Sequence, residues 1–307
     1  MGNIAIEIGG TKLQIAIGDS KTGVLGHIHR FYVDKEQGAK GILDKIEETL
    51  NSFQEPIETI GVGFGGPVNI KTGIIAASHQ IGGWSGMDLK NWFQTRYQVS
   101  VFIENDANTA ALGEAHFGAG KGYEHVFYVT LGSGVGGGMV VNGQLYHGNI
   151  PGEAEIGLMA MDNTGRTLES CCSGWALDKI IKDKVKNPSN RSILKKLVGI
   201  NTTGEARFLA PALQQKDRTA VKIFEEYTDF LAWGLSHVVH LFNPQVIVLG
   251  GGVSLMGEIL VHGVSKVLPQ YIYKTFQPVP KICLAALKEE AVLVGALCLN
   301  KIFITQN

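Results

Sequence analysis

Cysteine, proline and net charge are all scarce in this chain of 307 residues, which has four cysteines, nine prolines and a formal net charge of −1. Two cysteines are adjacent (Cys171 and Cys172), and the others, Cys283 and Cys298, stand far off. That spacing fits a reducing compartment better than a disulfide framework. Neighbouring Cα atoms lie ~3.8 Å apart across a trans peptide, short of the usual disulfide range, so a Cys171–Cys172 bridge would be strained. Charged residues make up only 18%, and the densest run, "KIIKDKVK" at 179–186, alternates with apolar residues and includes an aspartate. It reads as a solvated helix face, and with no basic stripe elsewhere a nucleic-acid partner is not expected. No run of 18 apolar residues occurs, which argues against a membrane span. The N-terminus lacks a basic segment followed by a long apolar one, and Ile6 occupies the place where a myristoylation signal needs Ser or Thr. A cytoplasmic location and no membrane partner are therefore expected.

Glycine, by contrast, is plentiful: 40 residues, within a chain that is 45% hydrophobic and long enough for two domains. Ile4, Ile6 and Ile8 alternate with small or polar residues, "GGTK" interrupts, and Leu13, Ile15 and Ile17 resume the period of two. That is a hairpin, and a second one occupies 125–148, closed further on by an Asn142-Gly143 turn. The two halves thus repeat an architecture, though not its letters. Helical spacing runs over 41–53, a buried strand running into a Gly-Gly-Pro turn occupies 59–69, and a strand gives way to a helix near Asn105. A long helical pattern over 219–242 stops at Asn243-Pro244, where continuation is disfavoured. Strands alternating with helices make this an α/β protein. A break at "GAGKG" puts the domain boundary near 112–122, giving a smaller N-terminal domain, 1–117, and a larger C-terminal one, 118–289.

Three Gly-rich turns follow apolar strands: "GGTK" at 9–12, "TLGSGVGGG" at 130–138 and "LGGGVS" at 249–254. Glycine lets backbone N–H groups approach an anion, so such turns can hold phosphate oxygens. Each alone could equally be a structural turn. Neither the P-loop spacing nor a Rossmann fingerprint is present, because the second turn lies between two strands where the fingerprint needs a helix. Together the three turns suggest a nucleotide held between two lobes. In "ENDANTAALGE" (104–114) a strand delivers Asn105 and Asp106 to a helix start. Either residue can cap that helix, and a carboxylate there can also take a proton from a substrate hydroxyl.

These segments, with "GVGFGGPVN", "GGW", "EIG", "LESCCSGWAL", "NPQVIVLGGGVS" and "AVLVGAL", occur in one order along the chain from residue 4 to about 297. In that order they resemble the ROK family of sugar kinases, within the hexokinase–actin superfamily. The resemblance implies two RNase H-like α/β domains with a cleft between them, the C-terminal helix at 290–307 joining the first. It implies an ATP-dependent transfer to a hexose hydroxyl, with Mg²⁺ carried by the nucleotide. Asp106 matches the catalytic base. Glu7, Gly9, Gly10, Thr11, Lys12, Thr130, Gly132, Ser133 and Gly134 match the phosphate hairpins, and Gly250, Gly251 and Gly252 the turn beside the adenosine. Gly65, Gly66, Asn105, Asp106, Glu155 and Glu169 match the sugar contacts. Relatives are often dimers or tetramers, so a homo-oligomer is expected.

Two departures stand out. Glu7 replaces the aspartate that usually opens the first hairpin, so its carboxylate reaches one methylene further. Many relatives also follow "Glu-Ile-Gly" with a histidine and add a Cys-x-Cys-Gly-x-x-Gly-Cys pattern, which together bind a structural zinc. Here Leu158 follows Gly157, and "MAMDNTGRT" (159–167) has no cysteine. Zinc needs N or S donors at defined spacing, so no zinc is expected, and Cys171 and Cys172 read as packing residues. Leu158 leaves an apolar wall on the sugar side, which makes the choice among glucose, mannose, fructose and N-acylhexosamines unreadable. The family also includes sugar-responsive repressors with a helix-turn-helix ahead of the first hairpin. With that hairpin beginning at residue 4, a DNA-binding role is not expected, and a non-catalytic binder or a polyphosphate-dependent kinase are the other rivals.

Overall fold

A computed structural model describes residues 2–78, 81–149, 152–187, 189–200 and 203–304; the last residues of the expected C-terminal helix, 305–307, lie outside that set. The alternating isoleucines form β1 (Gly2–Ile8), which turns into antiparallel β2 (Lys12–Gly18) with Glu7 opposite Gln14 and Ile6 opposite Ile15. β3 (Leu25–Tyr32) extends β2, and α1 (Gly38–Asn51) buries Ile42, Ile46 and Leu50 at helical spacing. β4 (Ile57–Phe64) lies parallel to β1. A short ribbon of β5 (Val68–Asn69) and β6 (Ile74–Ile75) follows, then α2 (Leu89–Tyr97), capped by the Asp88 carboxylate accepting from the Asn91 N–H. β7 (Ser100–Asn105) is parallel to β4 and runs straight into α3 (Asp106–Phe117), completing a sheet of order β3-β2-β1-β4-β7.

The second half repeats the pattern. β8 (His125–Leu131), β9 (Val135–Val141) and β10 (Gln144–Leu145) come first, and Asn142 (φ 51°) with Gly143 (φ 75°) make the two-residue turn between the last two. Positive φ at both positions is what a type I′ hairpin turn demands. Helices α4 (Leu168–Cys172), α5 (Gly174–Lys186), α6 (Ile193–Val198) and α7 (Leu209–Gln214) lead to α8 (Arg218–Phe242). That long helix ends with Asn243 in the left-handed region just before Pro244. β11 (Val246–Gly250), α9 (Glu258–Val267), β12 (Lys281–Leu284) and α10 (Ala291–Ile304) finish the chain, and the second sheet has the order β10-β9-β8-β11-β12. Among the described residues no helix is long and apolar enough to cross a membrane.

Two compact units result. The first takes the chain up to Tyr128, Gly138–Glu153 and the residues from Ala286 onward; the second takes Val129–Gly137 and Ala154–Ala285. In the first, Ile4, Ile6, Ile8, Ile60, Val62 and Phe64 from the parallel strands pack with Ile42, Ile46 and Phe93 from helices. α10 lies on α3 with almost no side chain between them: a Cβ on Gly295 would stand 1.7 Å from the Thr109 carbonyl oxygen. That approach explains why the apolar final helix carries a glycine in its middle. The second unit centres on Ile223, Tyr227, Leu231 and Leu235 of α8 together with the wholly buried Val246–Leu249 of β11.

Candidate active site

In the first unit the ends of three parallel strands are level. Ile8 pairs with Phe64, and Phe64 pairs with Asn105. The residues that follow, Gly9-Gly10, Gly65-Gly66 and Asp106, therefore share the carboxyl edge of the sheet, where open α/β sheets place their ligands. Backbone bonds tie these turns together: Gly65 N–H donates to the Ile8 carbonyl (2.8 Å) and Gly9 N–H to the Lys12 carbonyl (2.9 Å). Asn105 takes the capping role, its Oδ1 accepting from the N–H groups of Ala107 (2.9 Å) and Asn108 (3.2 Å). Its Nδ2 donates to the Gly66 carbonyl at 3.3 Å, so one amide links the helix start to the neighbouring turn. Asp106 is the first residue of the helix, with Oδ1 accepting from Ala107 N–H at 2.8 Å. A carboxylate there is favoured by the helix dipole. A Cβ on Gly65 would lie 3.3 Å from Asp106 Oδ2, so the bare Gly65 backbone leaves that oxygen its room.

Glu7, on β1 two residues before the first turn, is buried, and burial pushes its carboxyl above the ordinary range against the pull of Lys12 and Gln14. Both its oxygens are engaged: Oε2 accepts from Gln14 Nε2 at 2.6 Å, and Oε1 pairs with Lys12 Nζ at 3.2 Å. Gln14 is itself fully buried, and it accepts from Arg30 Nε (2.7 Å) through Oε1. The longer side chain at position 7 is thus anchored rather than free to swing. Gln14 was not legible as a site neighbour. A polar residue inside an apolar strand was the signal, but only the hairpin register puts it opposite Glu7.

In the second unit the Gly132–Gly134 turn, Glu169, Gly174 and Gly251 come together. Gly174 N–H donates to the Gly132 carbonyl at 2.7 Å, and Val135 N–H donates to Glu169 Oε2 at 2.9 Å. Glu169 sits in the first turn of α4, whose cap is Thr167. Its carboxylate closes over Gly134, where a Cβ would be 2.4 Å from Oε2. Gly251 has φ +80° and its backbone crosses the Leu131 peptide, with an added Cβ 2.5 Å from the Leu131 carbonyl carbon. Only glycine satisfies both constraints. Glu155 precedes the 3₁₀ turn Ile156–Leu158, which is held against the hairpin because Gly157 lies on the Val135 carbonyl. Leu158 is exposed (66%), and Thr130 and Ser133 lie along the β8–β9 hairpin. Cys171 and Cys172 are free, buried thiols, and the Tyr227 hydroxyl donates to the Cys172 carbonyl at 2.8 Å.

Sequence reasoning also missed a polar ring behind Asn105. Glu104, at the end of β7, is only 2% exposed, and its Oε1 accepts from Asn105 N–H (2.8 Å) and Asn108 Nδ2 (3.1 Å). Asn108 Nδ2 also reaches Glu153 Oε1 (3.0 Å). His147 bonds that same Glu153 oxygen through Nδ1 (2.9 Å) and faces Glu104 Oε2 through Nε2 (3.5 Å). Among the described residues Glu104, His147 and Glu153 are the group whose donor atoms gather within 4.8 Å. The imidazole stands between the carboxylates, bonded to Glu153 through Nδ1 and facing Glu104 through Nε2, so in this arrangement the three groups engage one another.

Comparison with known proteins bears on the chain as a whole. The model of the ROK family matches residues 3–302. A glucokinase from Thermotoga maritima is 30% identical over 97% of this chain and 96% of its own length. The crystal structure of a ROK family glucokinase from Streptomyces griseus, in complex with glucose and AMPPNP, superposes with a TM-score of 0.83 at 30% identity, covering 97% of this chain and 98% of that one. A xylose repressor from Bacillus spizizenii is 27% identical over 88% of this chain and 69% of its own length. The two α/β units are those of the actin/hexokinase-like two-domain fold. With a family match over nearly every residue and glycine turns at the level ends of its parallel strands, the chain belongs to the ROK family.

Proposed function

We propose that the protein is an ATP-dependent sugar kinase that transfers the γ-phosphoryl group of MgATP to a hexose hydroxyl, O6 of glucose or a related aldohexose. The observation that carries this reading is the placement of Asp106. It is the first residue of α3, level with two glycine turns at the carboxyl edge of the sheet, with Gly65 giving space to Oδ2. In the proposed reaction Asp106 takes the proton of the sugar hydroxyl as its oxygen attacks the γ-phosphorus. The bond from phosphorus to the bridging oxygen breaks, and ADP leaves with that oxygen. Catalysis of this kind rests on positioning and charge neutralisation more than on covalent chemistry.

The sugar contacts assigned by this reading are Gly65, Gly66, Asn105, Asp106, Glu155 and Glu169. The phosphate contacts are Gly9, Gly10, Thr11 and Lys12 with Thr130, Gly132, Ser133 and Gly134, and the adenosine lies by Gly250, Gly251 and Gly252. Kinship with a glucokinase crystallised with glucose and AMPPNP supports both ligand classes. Mg²⁺ bound to the nucleotide would neutralise phosphate charge. Both Glu7 oxygens already have side-chain partners, so Glu7 fits a role in orienting a metal-bound water better than direct ligation.

A structural zinc does not fit the donor set. Leu158 supplies no donor atom, Thr167 is engaged as a helix cap, and Cys171 and Cys172 are spent in packing. Metal analysis of the purified protein tests this, and stoichiometric zinc would refute it. The kinase reading is tested by ADP release with MgATP over glucose, mannose, fructose, N-acetylglucosamine and N-acetylmannosamine, with sugar phosphate formed from polyphosphate followed in parallel. Turnover of a hexose supports it. Sugar binding by calorimetry without turnover from either donor leaves a non-catalytic binder.

A further inference from the structure

The ring of Glu104, Asn108, Glu153 and His147 lies directly behind the turn that carries Asn105 and Asp106, and no role has been assigned to it. Each link is short. Glu104 Oε1 receives the Asn105 N–H at 2.8 Å, and Asn108 Nδ2 joins Glu104 to Glu153 at 3.1 and 3.0 Å. His147 joins the same two carboxylates from the other side, 2.9 Å from Glu153 Oε1 and 3.5 Å from Glu104 Oε2. Glu104 Oε2 is buried and has no hydrogen-bond partner, and the group that faces it is His147 Nε2 at 3.5 Å. Without the imidazole, that buried oxygen would lose the one cation that faces it, and the side chain that fixes Asn105 would be free to turn toward water.

We propose that His147 is a positioning residue for the sugar end of the reaction. By clamping Glu104 against the Asn105 backbone from behind, it sets where the Asn105 amide and the Asp106 carboxylate meet the sugar. This inference rests on the kinase reading above. None of the four residues is among the sugar contacts assigned above, so their effect is transmitted through the β7–α3 turn.

Protonation follows from the same geometry. The titratable groups facing His147 are Glu104 on β7 and Glu153 on its own segment, while α3 contributes the uncharged Asn108. Burial lowers the proton affinity of His147, but the Glu153 hydrogen bond and the charge of Glu104 outweigh it and raise the imidazole above its ordinary value. Burial likewise holds the Glu104 carboxyl above its usual range, against the pull of His147. The raised imidazole favours a charged ring facing Glu104 Oε2, and the proton on that ring is what closes the clamp. The clamp opens when that proton is lost, on the alkaline side of the usual imidazole value of about 6.5.

The experiment compares wild type, His147→Ala and His147→Gln in steady-state ADP release, varying sugar and MgATP separately between pH 6 and 9, with thermal melts of each. The expected result is a sugar KM at least about tenfold higher in His147→Ala while the MgATP KM stays within about twofold. His147→Gln, which can still donate to one carboxylate, should recover part of the loss. In wild type the sugar KM should rise toward alkaline pH, and that rise should vanish in both variants. A variant that melts lower but keeps the wild-type sugar KM and pH profile overturns the proposal. If wild type turns over no sugar, the kinase reading fails first; sugar affinity by calorimetry then decides, and equal or undetectable binding in wild type and His147→Ala overturns the positioning role as well.

Discussion

Adding one methyl group at Gly65 tests whether the proposed base is held as tightly as its geometry implies. In Gly65→Ala the new Cβ would lie 3.3 Å from Asp106 Oδ2, 3.3 Å from the Ile8 carbonyl oxygen and 3.5 Å from Gly9 Cα. The Ile8 oxygen cannot yield, because it accepts the Gly65 N–H within the sheet. The movable neighbour is the Asp106 carboxylate, pinned on its other oxygen by the Ala107 N–H at 2.8 Å. A shift of a few tenths of an ångström relieves the contact, so the cost in stability should be about 1 kcal/mol, the low end for overpacking. That corresponds to a fall in melting temperature of about 2–4 °C. Catalysis should suffer more. A general base works within about 2.6–3.2 Å of its proton, and a misplacement of 1 Å can cost about 10²-fold, so half of that predicts about a tenfold loss of kcat. The assay is ADP release at saturating hexose and MgATP, beside a thermal melt. A variant with wild-type kcat and a wild-type melt would refute the reasoning, since the methyl would then not crowd the base or Asp106 would not be it.

Two other substitutions probe the hairpins. Gly251→Ala combines a backbone at φ 80° and ψ 175°, a region essentially reserved for glycine and costing about 1–3 kcal/mol otherwise, with a Cβ 2.5 Å from the Leu131 backbone, worth about 1–3 kcal/mol more. A loss of roughly 2–6 kcal/mol in urea unfolding is expected from those terms, and no loss would contradict the close crossing. Glu7→Gln should reveal the cost of ionising a buried carboxyl. Because burial raises the Glu7 pKa in the folded state, its stabilising contribution is complete below the unfolded value of about 4.3 and is lost as pH rises through the folded value. The melting temperature of Glu7→Gln relative to wild type should therefore rise between pH 4 and pH 8; a falling difference would mean that Lys12 and Gln14 outweigh burial.

Much of this was legible in the letters. Period-two isoleucines, "GGTK", "ENDANTAALGE" and "NPQVIVLGGG" located the strands, the turns and the start of α3, because local sequence alone determines strand alternation, turn glycines and helix caps. Asn105 illustrates the limit of such reading. The helix cap could be read locally, and the amide does cap α3 with its oxygen, but its nitrogen also reaches the Gly66 carbonyl, a link that no local rule predicts. What stayed hidden depends on register and on distant segments. Gln14 supports Glu7 only because β1 and β2 pair so that the two stand opposite; a slip of one residue would send Gln14 to the other face. Glu104, His147 and Glu153 are brought together by a strand end and the segment after β10, and no spacing rule connects them. The same holds for Glu114, wholly buried in α3, whose carboxylate accepts the N–H groups of Ala119, Ala286 and Leu287 and so anchors the approach to the last helix.

The central claim is that Asp106 removes the proton from a sugar hydroxyl, and Asp106→Asn addresses it most directly. Asparagine keeps the size and an acceptor oxygen for the Ala107 N–H but cannot take the proton. Turnover by ADP release and sugar affinity by calorimetry should be measured on the same preparation. Sugar affinity within several-fold of wild type with kcat lower by about 10²–10⁴-fold or more is the predicted result. Near-normal turnover in Asp106→Asn would contradict it.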